Sequence, residues 1–232
     1  MSQHYQGILK TILLTALALV AFAANSILCR LALGTEAVDA AGFTVIRLVT
    51  GALVLSLILG VQFKRKQAKT SDSFERQNKG SWFAAVMLFV YAATFSFAYV
   101  SMDTGIGALI LFGSVQLTMI IMSLVRGHRL FLVEWGGVFL AFAGFVYLVL
   151  PGLGTPSVIG FVLMSLSGVA WGFYTLKGQG SKDPLGDTAY NFIRTAPMAA
   201  VLLLFMFQQV QLSLQGVGLA MLSGGIASGV GY

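Results

Sequence analysis

The chain has 232 residues, of which 57% are hydrophobic and only 9% are charged, and its mean hydropathy is +0.87. A soluble domain carries roughly 25% charged residues, so the composition excludes a water-soluble domain. The net charge of +6 comes from basic residues in short connections between apolar runs, which membrane topology explains better than nucleic-acid binding.

Eight apolar runs are long enough to cross a bilayer, which requires about 20 residues each. The runs are too long for strands and show no alternation of polar and apolar residues, and short connections join them as antiparallel hairpins. We therefore predict an all-α transmembrane bundle. The predicted spans lie near 11–33, 41–63, 81–102, 105–125, 130–150, 158–177 and 187–208, with an eighth that begins near 216 and is still running at Tyr232.

The distribution of basic residues predicts the orientation of these spans. If the N-terminus is cytoplasmic, one face of the membrane receives 11 of the 14 basic residues, most of them between Lys64 and Lys79. The opposite loops contain Glu36, Asp39 and Asp103 and no basic residue. Because short cytoplasmic loops carry an excess of Lys and Arg, we predict a multi-pass protein of the cell (inner) membrane with its N-terminus inside.

Two parts of the chain repeat each other at an offset of 147 residues. Arg30 and Arg47 are 17 residues apart, and so are Lys177 and Arg194. With the orientation above, the second span runs inward and the seventh runs outward. The repeat therefore predicts two inverted units of five helices each, 11–150 and 158–232, the second of them truncated.

Several short motifs carry a resemblance to a known family. They are Trp171-Gly172 with Lys177, Ile46-Arg47, Ile193-Arg194, the Gly-rich run 136–144 and the run 227–232. In these motifs the chain resembles the drug/metabolite transporter superfamily, specifically its EamA-like family. The resemblance implies ten spans, cytoplasmic termini and a central cavity lined by the first four helices of each half. About eight spans are present, and Ala24-Asn25 stands where the first half would carry Trp-Gly.

The repeated cations Arg47 and Arg194 are the leading candidates for a solute site. A charge inside a span is expensive and usually functional, and the guanidinium offers a rigid fork of donors for a carboxylate or phosphate. The alternative is that each side chain reaches its nearer interface and bonds backbone carbonyls. The same alternatives hold for Arg30 and Lys177, either interfacial anchors or cations at the mouths of the cavity.

Neutral polar and aromatic residues complete the predicted site. Asn25 and Gln116 lie at membrane depth, where they either hydrogen-bond across helices or line a wet cavity. Tyr91, Phe95 and Tyr99 share one helix face and, with Trp171, either form an aromatic wall for an organic solute or serve helix packing. Separately, the pairs Gly168-x-x-x-Gly172 and Gly225-x-x-x-Gly229 predict close contacts between helices within the chain.

These features predict an integral membrane transporter that moves small organic metabolites or amino-acid-like solutes, with export favoured, by alternating access. The alternative is a truncated, non-transporting membrane protein or a partner subunit. An intramembrane serine protease would need a histidine base near its serine, and none follows His128, so we expect no enzyme. We expect the bilayer and a small organic solute as partners, no nucleic acid, no metal and no cofactor. A homo-oligomer is compatible with the sequence.

Overall fold

The computed structural model describes residues 2–67, 79–127, 129–149 and 157–229, and within them every regular element is a helix. The centre of the predicted basic loop, His128, the 151–156 connection and the last three residues lie outside this part of the chain. The helices are α1 Ser2–Gly34, α2 Ala40–Gln67, α3 Trp82–Tyr99, α4 Thr104–Val125, α5 Leu132–Val149, α6 Val158–Gly178, α7 Pro184–Arg194, α8 Ala196–Met206 and α9 Leu214–Leu222, the last continued by a π-turn over Ser223–Ser228.

Six stretches are long and apolar enough to cross a membrane by their length and composition, so the prediction of an all-α membrane bundle is confirmed at this level. They are Gly7–Gly34, Ala40–Lys64, Trp82–Tyr99, Thr104–Val125, Val158–Gly178 and Pro184–Gln209. Two shorter apolar helices, Leu132–Gly144 and Leu214–Ser228, fall on the fifth and eighth predicted spans.

Short polar side chains fix where many of these helices begin. Ser81, Ser157 and Ser213 each accept a hydrogen bond from the backbone amide three residues later, at 3.1, 3.1 and 3.0 Å respectively. Asp39 and Asp183 do the same at the starts of α2 and α7, at 2.8 and 3.1 Å. Such caps satisfy one of the free amides that every helix start leaves, typically contributing about 1 kcal/mol.

The predicted seventh span is interrupted at one residue, between α7 and α8. The α7 helix ends at Arg194, Thr195 separates it from α8, and Pro197 lies in the first turn of α8. Proline has no amide hydrogen to donate, and its ring clashes with the carbonyl four residues earlier, so a continuous helix through this point is disfavoured. The Thr195 amide still donates to the Asn191 carbonyl at 3.2 Å, so the interruption is confined to one residue.

The core of the bundle lies around α3. Phe95, Tyr99 and Leu88 of this helix are almost fully buried, together with Phe43 and Leu48 of α2. The α6 helix packs along both α3 and α4, whereas α2 packs against α7, α8, α9 and the π-turn, and α1 against α9. The α5 helix lies at the edge of the bundle in contact with α4, and most of its described side chains are exposed.

Glycines allow α6 to approach α4 closely, as the Gly168-x-x-x-Gly172 pattern predicts. A Cβ atom added at Gly168 would lie 2.5 Å from the Leu111 carbonyl oxygen, and one added at Gly172 would lie 2.9 Å from Thr118 Cβ. Real Cβ atoms do not make such contacts, so the two backbones touch because the side chains are absent. The prediction of close packing within the chain is confirmed here.

We expect Gly168→Ala to destabilise the bundle, because the new methyl group meets backbone atoms of α4 that cannot turn away. Overpacking of this kind costs about 1–3 kcal/mol. Thermal unfolding of the purified protein in detergent measures the loss. Gly137→Ala is the matched control, since a Cβ atom there has no neighbour within 4 Å, and it should leave stability equal or slightly higher. Equal stability of both variants would contradict the close α4–α6 contact.

Candidate functional site

Arg47 is the buried cation at the centre of the bundle. Its side chain is 2% exposed, and its Nη2 donates a hydrogen bond to the Tyr91 hydroxyl at 2.8 Å. The guanidinium carbon lies 5.1 Å from the ring centroids of both Tyr91 and Phe95. Aromatic faces attract cations through their quadrupoles, and this attraction strengthens where water is excluded. The side chain therefore turns toward α3 inside the protein rather than toward a membrane interface.

The π-turn after α9 supplies two serines to the same region. Arg47 Nε donates to Ser228 Oγ at 3.4 Å, and Ser223 Oγ donates to Asn25 Oδ1 at 2.6 Å. In an α-helix, residues five apart point about 140° away from each other. The i→i+5 bonding of a π-helix, seen here in the 2.9 Å bond from the Gly229 amide to the Gly224 carbonyl, lets both serines face the centre.

These contacts define the central cluster, whose members come from α1, α2, α3 and the π-turn. Its members are Asn25, Arg47, Tyr91, Ser223 and Ser228, all of them buried. The α6 helix joins the cluster through Ser167, whose hydroxyl donates to the Tyr91 carbonyl at 3.1 Å. Lipid offers no hydrogen-bond partners, so buried polar groups of a membrane protein bond to one another. Networks of this kind are typical of the paths that solutes or protons take.

A small cavity adjoins the central cluster. Its volume is about 20 Å³, and its walls include Asn25, Tyr91, Phe95 and Trp171. The Trp171 ring lies 4.5 Å from the Tyr91 ring, centroid to centroid. A cavity of this volume holds about one water molecule. The space beside the central cluster is therefore too small for an organic solute.

The two ends of the bundle differ in charge, and we call them the basic face and the acidic face. The basic face carries Lys64, Lys79, Arg126, Arg129, Lys177 and Lys182, and the acidic face carries Glu36, Asp39 and Asp103. A cavity of about 520 Å³, the basic-face cavity, lies between α3, α6 and α7 at the first of these ends. Trp171 lines both this cavity and the small central one. Its side chain is thus the boundary between the two spaces.

Three side chains on one face of α7 hold the segment 79–81, and we call this contact the basic-face latch. Asp187 Oδ1 accepts from the Gly80 amide at 2.8 Å, and Asn191 Oδ1 accepts from the Ser81 amide at 2.9 Å. Arg194 Nη1 donates to the Lys79 carbonyl, and its guanidinium carbon lies 5.5 Å from the centroid of the Trp82 ring. Residues 187, 191 and 194 follow the i, i+4, i+7 spacing of one helix face.

Backbone pairing closes the acidic face. The Asp39 amide donates to the Gln211 carbonyl at 3.1 Å, and the Ser213 amide donates to the Ala37 carbonyl at 3.0 Å. The Gln211 amide in turn donates to Asp39 Oδ1 at 2.9 Å. These contacts join the start of α2 to the segment before α9. At this point the acidic face is held by two main-chain bonds together with the Asp39 carboxylate.

Arg30 lies at the acidic face and ties α1 to the end of α3. Its Nη1 donates to the carbonyls of Tyr99 and Val100 at 3.1 and 3.2 Å, and Nη2 lies 3.7 Å from Asp103 Oδ1. Because Asp103 is mostly exposed, the ion pair adds little to stability. The carbonyl contacts match the anchoring alternative for this residue.

The structure brings some of the predicted site residues together and separates others. Asn25, Arg47 and Trp171 meet at the centre, and Tyr99 is buried one turn beyond Phe95 with its hydroxyl donating to the Thr104 carbonyl at 3.2 Å. Arg194 lies at the basic face in the latch. Gln116 is exposed on α4, away from the cluster.

The central serines and the latch were not predicted from the sequence. Ser223 and Ser228 face the centre only because the chain forms a π-turn, which their spacing does not indicate. Asp187 and Asn191 bind backbone groups more than 100 residues earlier in the chain. A usable signal was present in α7, where Asp, Asn and Arg recur on one face of a predicted span.

The fold and this site define the class: an all-helical, multi-pass membrane protein with a buried polar cluster at its centre. No family model matches the chain, and no solved structure matches it. It is similar to a protein of Pseudomonas aeruginosa, the uncharacterized protein PA1977, with 48% identity over 223 residues, which cover 96% of this chain and 75% of that one. The chain belongs to the family of that protein.

We expect Tyr91→Phe to destabilise the protein by about 1–3 kcal/mol, because it removes an acceptor from a buried charge. Thermal unfolding in detergent measures the change, with Tyr147→Phe as the control because Tyr147 is 73% exposed. In an Arg47→Gln background the same Tyr91→Phe change should cost less, since the two residues interact. Purely additive effects would show that the 2.8 Å contact contributes nothing to stability.

Gly80→Ala is expected to open the basic-face latch. Gly80 has φ +62°, and a Cβ atom there would lie 2.3 Å from Asn191 Oδ1. Gly180→Ala is the matched control, since its φ is +75° but a Cβ atom there has no neighbour within 4 Å. Both variants carry left-handed strain of about 1–2 kcal/mol, but only the first displaces the latch.

The opening is measured by maleimide labelling of Thr175→Cys, which lines the cavity, in a Cys29→Ala background. Labelling should be several-fold faster with Gly80→Ala than with Gly180→Ala. Equal labelling rates would mean that the segment 79–81 does not limit access to the cavity.

Proposed function

We propose that the protein is an inner-membrane transporter that exports small organic metabolites or amino-acid-like solutes. The observation that carries this proposal is the burial of Arg47 in a polar and aromatic cluster built by helices from both halves of the chain. Placing an Arg at the centre of a membrane costs about 2.5–3.5 kcal/mol or more, so its retention there favours a role in handling a polar solute.

The helix contacts support a mechanism of alternating access between two inverted repeats. The third helix of the first unit, α3, packs on the first helix of the second unit, α6, and α9 packs on α1 in the same manner. The segments before α3 and α9 are likewise held by the opposite unit, through α7 and through the start of α2. When two units are related by a two-fold axis, the third helix of each is expected to pack on the first helix of the other.

The distribution of space supports the same mechanism. The basic face has a cavity that reaches Trp171, whereas the acidic face is joined by backbone pairing. An alternating-access transporter exposes its central site to one side at a time. We infer that the described conformation is closed at the acidic face and that the basic face, which the basic residues assign to the cytoplasm, is the side of solute entrance.

The motifs around Arg47, Trp171 and Arg194 make membership of the EamA-like family part of this proposal. In it Arg47 contacts or attracts the solute, with Asn25 and Trp171 beside it. Arg194 acts at the basic face through the latch instead. No catalytic role is proposed for any residue.

Transport is tested by solute counterflow in proteoliposomes with a panel of labelled amino acids and organic acids. The parent protein should accumulate at least one solute above protein-free liposomes. Arg47→Gln should lower the initial rate about tenfold or more, as loss of a charge-assisted contact predicts, while Arg47→Lys retains part of it. Arg126→Gln, a change at the exposed basic face, is the control and should transport like the parent.

Two results would contradict the proposal. Transport by monodisperse Arg47→Gln at the parent rate would remove Arg47 from the solute path. No accumulation by folded parent protein across the panel would favour the alternative of a non-transporting membrane protein or partner subunit.

A further inference from the structure

The basic-face cavity has the features of a binding site that is separate from the central cluster. We propose that it binds organic anions in which a carboxylate is joined to a flat apolar body. Its place on a transport path rests on the proposed function, whereas binding at the cavity does not require transport.

The size and walls of the cavity fit a small organic molecule. Its volume of about 520 Å³ lies within the roughly 300–1,000 Å³ of small-molecule sites. Three helices and the 178–181 segment enclose it, and the latch fixes one wall by holding the segment 79–81 to α7. Hydrogen bonds between the segment 79–81 and α7 therefore fix part of the cavity wall.

The charges around the cavity favour an anion. Lys79 and Lys177 both line it and have exposed side chains. Asp187 also lines it, but its Oδ1 accepts from the Gly80 amide at 2.8 Å and its Oδ2 from Ser181 Oγ at 2.5 Å. Two lysines against one carboxylate, whose oxygens are both hydrogen-bonded, leave the lining with one net positive charge.

The floor of the cavity favours a flat apolar body. Trp171 and Tyr174 line it, and their rings stack at 5.4 Å between centroids with an angle of 27° between planes. Aromatic side chains supply apolar contact surface and pair with other rings in offset or edge-to-face arrangements, which suits a flat apolar group. A ligand with its carboxylate near Lys79 and Lys177 places its body against this surface.

Trp171 also links this cavity to the central site. The same ring lies 4.5 Å from Tyr91, which accepts the hydrogen bond of Arg47. A ligand held on Trp171 is therefore separated from the central cluster by one layer of aromatic side chains. Movement of this layer would pass an anion from the two lysines to Arg47.

The binding test uses the fluorescence of Trp171 in the whole protein in detergent. The variant Trp82→Phe/Trp135→Phe leaves Trp171 as the sole tryptophan, since the chain has three. Three nitroaromatic quenchers of matched size are compared: 4-nitrobenzoate, 4-nitrobenzylamine and 4-nitrobenzyl alcohol. Quenching by 4-nitrobenzoate should saturate, with an affinity about tenfold above that of 4-nitrobenzylamine at low salt.

Lysine variants then test the assigned positions. Lys177→Gln and Lys79→Gln should each weaken 4-nitrobenzoate binding about 3–10-fold and leave 4-nitrobenzyl alcohol unchanged, as loss of one charged partner predicts. Lys182→Gln is the matched control, because Lys182 is an exposed lysine between α6 and α7 that does not line the cavity, and it should bind like the parent.

Equal affinity for the three quenchers, or parent-like binding by the Lys79→Gln/Lys177→Gln double variant, would overturn the anion site. Saturable, lysine-dependent binding of 4-nitrobenzoate without solute counterflow would support the site and overturn the proposed transport. Solute counterflow by a protein whose Trp171 fluorescence shows no preference for the anionic quencher would support the proposed transport and overturn the anion site.

Discussion

The burial of the Arg47 charge is the constraint on which the rest of the structure depends. A guanidinium in the middle of apolar helices is tolerated only where acceptors and aromatic faces surround it. Tyr91 and Phe95 of α3 and Ser228 of the π-turn provide these partners. Because they belong to separate elements, α2, α3 and the end of α9 must keep their relative positions for the charge to remain satisfied. The packing of the core around α3 follows from the same requirement.

The π-turn brings two serines to the buried charge by packing closely on α2. Its glycines let it lie directly on α2, since a Cβ atom at Gly224 would lie 2.2 Å from the Arg47 carbonyl oxygen. At that distance the turn can direct Ser223 to Asn25 and Ser228 to Arg47 at once. A regular α-helix would point one of the two serines elsewhere. The π-turn thus connects α1 and α2 through two serine side chains that a hydropathy profile does not identify.

Hydropathy predicted the helices well because each described span must bury its own backbone hydrogen bonds in lipid. It predicted the site only in part. Arg47, Asn25 and Trp171 converge because each lies on the side of its helix that packs inside the bundle. Arg194 does not join them. The α7 helix ends at Arg194, and the Arg194 side chain reaches the Lys79 carbonyl, 115 residues earlier in the chain. Gln116 lies on the exposed side of α4, and one polar residue in an apolar run does not specify which side of the helix it occupies.

The two ends of the bundle are closed by different chemistry, and this difference bears on how the molecule can move. At the acidic face, two main-chain bonds join the start of α2 to the segment before α9, with further contacts from the side chains of Asp39 and Arg30. At the basic face, three side chains of α7 hold the segment 79–81, and each can rotate away on its own. The basic-face cavity lies at the end that these side chains hold, with Trp171 as the next layer toward the charge on Arg47.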